Sequence, residues 1–264
     1  MAHDITVFID SFDGYNDVWP YFFMIFEKYW PDCSFDVKLV TNSMGFNSVD
    51  SIKVGSEIDW VSRTYRALDA INTKYVLFLL EDYFLSKPFD NHLLENVLDF
   101  ISKNNCHYFR LIEIPKSRAA NKTAFLPILS NEEYGINLQA SIWEVEYLKN
   151  LLAKIEKGSA WDFEVYLLRN RDNTKQPLEK CFTIKGNPFG FHNGILKGKW
   201  FRREIRFYKK HGISIDFSKR GKLGFFAELR FVFAQSLKRH MPYFVRKILK
   251  RIMKFFGFKF VSDV

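Results

Sequence analysis

Several features that mark other protein classes are absent from this chain of 264 residues. Its cysteines, Cys33, Cys106 and Cys181, are odd in number and lack metal-site spacing, which is typical of reduced, cytosolic packing residues. No run of about 18 apolar residues occurs, so we expect no membrane-spanning helix. The start, Met1 to Asp4, lacks a basic stretch before an apolar core, and we expect no secretory signal.

Positive charge is concentrated near the end of the chain. Residues 196–259 hold 19 Lys and Arg against three acids, a surplus of 16, whereas residues 1–195 hold 20 Lys and Arg against 26 acids. An acidic body with a basic tail is typical of proteins that meet anionic lipid or nucleic acid. With 47% apolar residues, the body can form a large core. We therefore predict a globular domain at 1–200 and a basic tail at 201–264.

The body is organised around Tyr75 to Leu80, six apolar residues between Lys74 and Glu81. Such a run is typical of a strand buried on both faces. Strands are predicted at 6–10, 36–40, 51–54, 75–80, 108–112, 135–143 and 182–184, and helices at 19–29, 60–71, 91–102, 145–152 and 161–169. Residues 113–134 are predicted to be a mobile loop. The order β-α-β-β-α-β favours a Rossmann-like half-sheet, but no Gly-x-Gly-x-x-Gly follows the first strand, which argues against a dinucleotide fold.

Two adjacent carboxylates, Glu81 and Asp82, follow the central strand. In open α/β sheets, ligands bind outside the carboxyl ends of the strands. A divalent metal carrying a nucleotide diphosphate would satisfy these acids, because hard cations take carboxylate and phosphate oxygens. Alternatively, Glu81 is solvated and Asp82 caps the turn.

Asp162 and Glu164 stand near the start of a predicted helix. Residues two apart do not share a helix face, so one can enter a cleft as a general base while the other caps the helix. The alternative is an acidic first turn that only stabilises the helix dipole. Further along, His192 is either a metal ligand, a phosphate partner or a solvated loop residue. Lys197 and Lys199 either neutralise a leaving diphosphate or are surface lysines.

The last part of the tail has the pattern of an amphipathic helix. At 100° per residue, the apolar residues of 244–256 occupy one half of the helix, and five Lys and Arg without any acid occupy the other. This pattern favours residues 241–256 lying on an anionic membrane surface over packing on the protein's own domain. Nucleic acid is a less favoured partner, and residues 225–233 are predicted to add a second such helix.

Three short segments carry a family resemblance: Glu81-Asp82-Tyr83-Phe84, Asn-Leu-Gln-x-x-Ile-Trp at 137–143, and Lys-Gly-Lys-Trp at 197–200. Together with Trp-Asp-Phe-Glu at 161–164, their order resembles GT-A fold glycosyltransferases of bacterial capsule and O-antigen gene clusters, over roughly residues 5–200. The resemblance implies a Rossmann-type mixed sheet flanked by helices, here with a basic amphipathic helical tail.

The implied activity is transfer of a sugar from a nucleotide-diphosphate donor to a glycan or polyprenyl-diphosphate-linked acceptor, by inverting displacement, on the inner face of the cell membrane. The resemblance assigns the base role to Asp162 or Glu164. It assigns the donor and metal role to Glu81 and Asp82. In addition, we predict donor contacts for Asp10, Lys197 and Lys199, acceptor contacts for Asn137, Gln139 and Trp143, and a manganese or magnesium ion at Asp82 and His192. Tyr83 stands where Asp-x-Asp would place its second acid, so Lys or Arg residues are an alternative to the ion.

Two other functions stay open from the sequence. One is nucleotidyl or phosphoryl transfer, which the same acids and metal would serve. The other is a non-catalytic membrane- or nucleic-acid-binding protein in which the basic tail is the active part.

Overall fold

A computed structural model describes residues 4–47, 49–56, 58–119, 123–172 and 174–240, with the backbone alone for 233–240. The chain divides into two compact units, Met1–Asn193 and Gly194–Val264. The boundary lies seven residues before the one predicted after residue 200, because Trp200 is hydrogen-bonded to the segment that comes after it. The Trp200 backbone N–H donates to the Gly221 carbonyl, and the Leu223 N–H donates to the Trp200 carbonyl.

The first unit is built on a mixed sheet of eight strands. The strands of this unit are β1 (Ile5–Asp10), β2 (Asp36–Thr41), β3 (Asp50–Lys53), β4 (Tyr75–Leu80), β5 (Tyr83–Leu85), β6 (Tyr108–Arg110), β7 (Phe125–Leu129), β8 (Ser141–Glu144), β9 (Pro177–Ile184) and β10 (Phe191–Asn193). The sheet order is β3-β2-β1-β4-β8-β6-β9-β7, and β5 pairs with β10 separately. Strands β1 to β4 run parallel, whereas β8 is antiparallel to both of its neighbours.

Helices cover both faces of this sheet. They are α1 (Trp19–Tyr29), α2 (Trp60–Asp69), α3 (Asn91–Asn104), α4 (Val145–Leu152) and α5 (Ala160–Arg169). Phe8 and Phe78 stack at 5.5 Å and face a core built with α2, α4 and α5. On the other face, Leu79 and residues of α1 line a cavity of about 10 Å³. The predicted mixed α/β sheet flanked by helices is confirmed.

The sequence predicted the central elements better than the edge ones. The bounds of α1, β4 and α4 agree with the prediction. Residues 113–134 were wrongly predicted to be one irregular loop, since they contain β7, where Pro127 is tolerated because β7 is an edge strand. The strand predicted at 135–143 begins only at Ser141.

The second unit begins with a hairpin and continues with two helices. Its elements are β11 (Ile195–Leu196), β12 (Lys199–Trp200), α6 (Arg202–Lys210) and α7 (Phe225–His240). Lys197 and Gly198 form the turn with φ of 52° and 74°, the left-handed pair that a two-residue hairpin turn requires. A helix at 225–233 is confirmed, whereas the predicted helix at 244–256 lies outside the described residues. Within the described chain, no helix is both long and apolar enough to span a bilayer.

Candidate active site

Acidic side chains meet where β1 and β4 end, at the carboxyl edge of the sheet. The strands are parallel neighbours, and Asp10 pairs in register with Leu80, the last residue of β4. The chain then turns through Glu81 and Asp82 before β5 begins. Two neighbouring strands therefore deliver three carboxylates to one edge.

Asp10 is fully enclosed at this edge. It accepts a hydrogen bond from the Trp60 indole N–H, and its Oδ1 lies 3.5 Å from Arg63 Nη2. Thr64 Oγ1 lies 3.4 Å from both carboxylate oxygens. Burial raises the pKa of Asp10, and Arg63, Trp60 and Thr64 offset that effect only in part. With no exposed surface, Asp10 offers nothing directly to a donor and instead positions Arg63 and Trp60.

The pKa of Glu81 is strongly perturbed at this edge. Burial, and then the neighbouring charge of Asp82, raise its pKa well above the ordinary value; Asp10 adds to the rise and Arg63 opposes it. Glu81 is 7% exposed, whereas Asp82 is half-buried. Crowded carboxylates with a raised pKa are costly to stability, and such costs cluster at functional sites.

Helix α5 separates the roles of Asp162 and Glu164. Asp162 Oδ2 accepts bonds from the Ser159 N–H at 2.8 Å and Ser159 Oγ at 2.7 Å, and Ser159 Oγ accepts from the Asp162 N–H at 3.2 Å, which completes a capping box. Asp162 is exposed, and these bonds lower its pKa. The structure thus places Asp162 in the helix cap.

Glu164 instead turns toward the sheet edge. Its Oε1 accepts a hydrogen bond from the Leu138 backbone N–H at 2.9 Å. Glu164 is half-buried, and burial raises its pKa although the Leu138 bond opposes the rise. Burial, then Asp82, then Glu164 raise the pKa of Tyr83 well above the usual range, so both carboxylates lie within electrostatic reach of this phenol. Asp82 and Glu164 therefore both lie in the neighbourhood of Tyr83.

A buried arginine holds the loop that borders this site. Arg110, at the end of β6, has no exposed surface and donates to the carbonyls of Gly135 at 2.9 Å and Pro115 at 3.0 Å. Asn137 is 2% exposed, and its amide donates to the Tyr134 carbonyl at 2.8 Å and the Ile114 carbonyl at 3.1 Å. Asn137 is therefore used by the loop itself, and its placement offers a ligand almost no surface.

The other predicted acceptor residues differ in placement. Gln139 is half-buried at the same edge, and its Oε1 is buried without a hydrogen-bond partner among the described residues. Trp143 has no exposed surface, because it packs against Tyr108 and Phe163 in the core. A side chain so placed serves the fold and presents no face to an acceptor.

The remaining predicted residues lie in two places. His192 pairs in the β5–β10 ladder with Phe84, two residues beyond Asp82, so it belongs to the first unit. Lys197 and Lys199 are exposed in the β11–β12 hairpin of the second unit. Their role toward a donor stays a prediction.

Sequence reasoning assigned no role to Arg63 or Tyr83. Arg63 is 8% exposed although it is a cation on a surface helix, and its guanidinium lies 5.6 Å from the centre of the Phe12 ring. Arg63 lies four residues before Ala67 and therefore on the apolar stripe of α2. This spacing is the feature of the sequence that could have predicted its burial. No feature of the sequence predicts that Tyr83 lies at the site, because this depends on where the fold positions Glu164.

The described residues fit a metal ion only in a limited way. Among them, no group of three or more His, Cys, Asp and Glu side chains could enclose a metal. The repulsion that raises the pKa of Glu81 is nevertheless one that a hard cation would relieve. The donor set thus fits an ion that takes most of its ligands from phosphates and water.

Comparison with known proteins finds distant structural likenesses only. No family model matches the chain, and no curated protein matches it. Staphylococcus aureus TarS is similar over 72% of this chain, with 12% sequence identity and a TM-score of 0.47. The complex of TarS 1–349 with UDP-GlcNAc is similar over 74% of this chain, with 12% sequence identity and a TM-score of 0.45. The bifunctional IspDF of Campylobacter jejuni is similar over 70% of this chain, with 10% sequence identity and a TM-score of 0.37. The chain spans 36%, 60% and 50% of these three structures, and likeness at this level carries no argument about function.

Proposed function

We propose that the chain is a glycosyltransferase that moves a sugar from a nucleotide-diphosphate donor to a glycan or lipid-linked acceptor. One observation carries the proposal: Asp82, which follows Glu81 after β4, and Glu164, from a separate helix and bonded to Leu138, both lie within electrostatic reach of Tyr83. A pair of acids for the donor and a separate carboxylate for the acceptor are the groups that sugar transfer by displacement needs. The resemblance of the sequence motifs to glycosyltransferases of surface polysaccharide clusters supports the same proposal.

In the proposed mechanism, Glu164 is the general base. Its raised pKa brings its proton affinity closer to that of a group working near neutral pH. Glu164 removes the proton of an acceptor hydroxyl, the oxygen bonds to the anomeric carbon, and the bond from that carbon to the diphosphate oxygen breaks. The nucleoside diphosphate leaves with the bonding electrons, and the configuration at the anomeric carbon inverts.

Asp82 is the residue that would hold a divalent cation together with the donor phosphates, with His192 as a further predicted ligand. When bound, manganese or magnesium supplies positive charge to the departing diphosphate. Arg63 contributes a second positive charge beside Glu81, held in place by Asp10.

The donor is tested by thermal shift of the full chain with UDP-, dTDP- and GDP-sugars, UDP-GlcNAc among them, with and without magnesium or manganese. A ligand of the native state raises its stability by an amount that grows with the logarithm of concentration over affinity. We expect at least one nucleotide sugar to raise the Tm. Asp82→Asn should remove that rise, and Asp99→Asn, an exposed acid on α3, should keep it.

The outcomes separate the three candidate functions. Sugar transfer with inversion supports the proposal, whereas transfer of phosphate or a nucleotidyl group would replace it by the second function. Full transfer activity in Asp82→Asn contradicts the assigned site. Absence of any nucleotide-sugar binding would leave the non-catalytic binding protein.

We further infer that the protein is peripheral on an anionic membrane surface, the inner face of the cell membrane, through residues 241–256. Described residues of the second unit support this inference. Of the acids that the structure describes in this unit, Glu204 and Glu228 are buried and Asp216 is exposed, whereas Lys197, Lys199, Arg202, Arg206, Lys209 and Lys210 are all exposed. Phe225 and Phe226 on α7 are 60% and 82% exposed.

The membrane inference is tested by co-sedimentation with phosphatidylglycerol and phosphatidylcholine vesicles. Deleting residues 241–264 should release the chain from the anionic vesicles and leave turnover on a soluble acceptor intact. Unchanged vesicle binding by the truncated chain would contradict the assignment of the tail.

A further inference from the structure

An aromatic platform stands beside Glu164 on the surface of the first unit. Trp161, in the first turn of α5, is 50% exposed, and its ring stacks on that of Tyr134 with 6.4 Å between centroids and 29° between planes. Half of the tryptophan side chain is therefore open to a ligand, and its burial by an apolar face would be favourable. Neither residue has a role in the mechanism above.

The platform is held by the fold. Tyr134 has φ of +58°, a left-handed conformation that is rare for a residue with a ring side chain. Its carbonyl is held by the Asn137 amide at 2.8 Å and by Arg110 Nη1 at 3.4 Å. Because those two donors are themselves buried, the ring of Tyr134 is presented from a fixed backbone, which is typical of a preorganised site.

The platform and the base share one face of α5. Trp161 and Glu164 are three residues apart, so their side chains are neighbours on the helix. Burial, and then the charge of Glu164, raise the pKa of Tyr134, so the phenol also lies within electrostatic reach of the carboxylate. A ligand lying flat on the Trp161 ring therefore has its edge next to the group that takes a proton.

We propose that Trp161, supported by Tyr134, is the subsite on which a sugar ring of the acceptor stacks. This inference rests on the proposed function. A pyranose has an apolar face of C–H groups and a rim of hydroxyls, so it can cover an indole while a rim hydroxyl reaches Glu164. A nucleobase also stacks on aromatic rings, but the acids that face the donor in the proposed mechanism, Glu81 and Asp82, follow β4, whereas Trp161 lies three residues before the base Glu164 on α5.

The test measures acceptor and nucleotide binding separately, with the full chain. A glycan array identifies the immobilised saccharides that wild type retains, and the best one is then titrated. Trp161→Ala should raise its Kd about tenfold, a change of about 1.4 kcal/mol, and Trp161→Phe should recover most of the loss. The control is Met24→Ala on α1, since Met24 is exposed to a similar extent, 47%, and should not change the Kd. Binding of UDP, titrated in parallel, should change less than twofold in all variants.

The other possible results contradict either the acceptor subsite or the proposed function. Unchanged glycan affinity in Trp161→Ala, or no retained glycan while UDP binds, refutes the acceptor subsite and leaves the proposed function standing. Loss of UDP binding in Trp161→Ala makes the ring a nucleotide platform instead. If wild type binds neither UDP nor any nucleotide sugar, the proposed function itself fails.

Discussion

Strand β4 begins and ends beside charged side chains, and the charges are matched at its beginning but crowded at its end. Before Tyr75, Lys74 Nζ lies 3.8 Å from Glu144 Oε1, and His107 Nδ1 lies 2.6 Å from Glu144 Oε2. After Leu80, Glu81 has the carboxylates of Asp82 and Asp10 as electrostatic neighbours. Burial is the first cause of the raised pKa of Glu81, these two carboxylates add to the rise, and Arg63 opposes it.

In keeping with the proposed function, we call the beginning of β4 the structural end of the sheet and its carboxyl edge the functional end. Charges that only support a fold are expected to be paired, since an uncompensated buried charge costs several kcal/mol. Carboxylates that are left crowded lower stability, and such a cost is retained where a ligand supplies the missing positive charge. The contrast supports the proposed site at the carboxyl edge and predicts opposite behaviour for substitutions at the two ends.

The largest effect on the transfer rate is expected from a substitution of Glu164 at the functional end. Glu164→Gln keeps the shape of the side chain but removes the proton acceptor, and we expect the transfer rate to fall about 10²–10⁴-fold. Asp162→Asn is the matched control, since Asp162 lies in the helix cap, and its transfer rate should stay within about threefold of wild type. Equal losses in both variants, measured by initial rates, would contradict the separation of roles.

The pH profile sharpens the same assignment. A base must be deprotonated to act, so the wild-type rate should fall as the pH drops through the raised pKa of Glu164. That decline should occur above the ordinary glutamate range and be missing from the residual activity of Glu164→Gln. A wild-type rate that stays constant down to the ordinary glutamate pKa would show that Glu164 is not the base.

An intermediate effect on stability is expected at Glu81. Because its folded-state pKa is raised, the native state binds the proton more tightly than the unfolded chain between the ordinary and the raised value. The free energy of unfolding therefore falls as the pH rises through that window and stays low above it. Glu81→Gln should raise the free energy of unfolding at pH 8 by about 1–2 kcal/mol, flatten its pH dependence and reduce transfer. A less stable variant, by urea denaturation at pH 8, would contradict this interpretation.

The smallest effect is expected at the structural end. Glu144→Gln removes a charge that pairs with Lys74 and His107, and should lower the free energy of unfolding by about 1 kcal/mol. Transfer should not change, because this pair lies at the opposite end of β4. A variant that loses transfer activity at unchanged stability would contradict the distinction between the two ends.

Local patterns predicted most of the central fold. The apolar run of β4 and the three- and four-residue spacing of apolar residues in α1 are sufficient to predict these elements. Burial on both faces of a strand or on one stripe of a helix depends only on residues that are close in sequence. Strand β7 escaped prediction, because its partner β9 lies about 50 residues away and Pro127 reads as a breaker unless its edge position is known. The same holds for β5, which is only three residues long and depends on β10.

For the site, residue order and helix periodicity already indicate that Glu81 and Asp82 follow a buried strand and that Asp162 and Glu164 do not share a helix face. The assembled fold was needed to show that Asp162 closes the cap while Glu164 reaches Leu138, and that Asp10 is enclosed by Trp60 and Arg63. The physical reason is distance along the chain. Helix periodicity and strand ends are short-range properties, whereas burial and the electrostatic neighbours of a carboxylate depend on segments that meet only when the sheet is assembled.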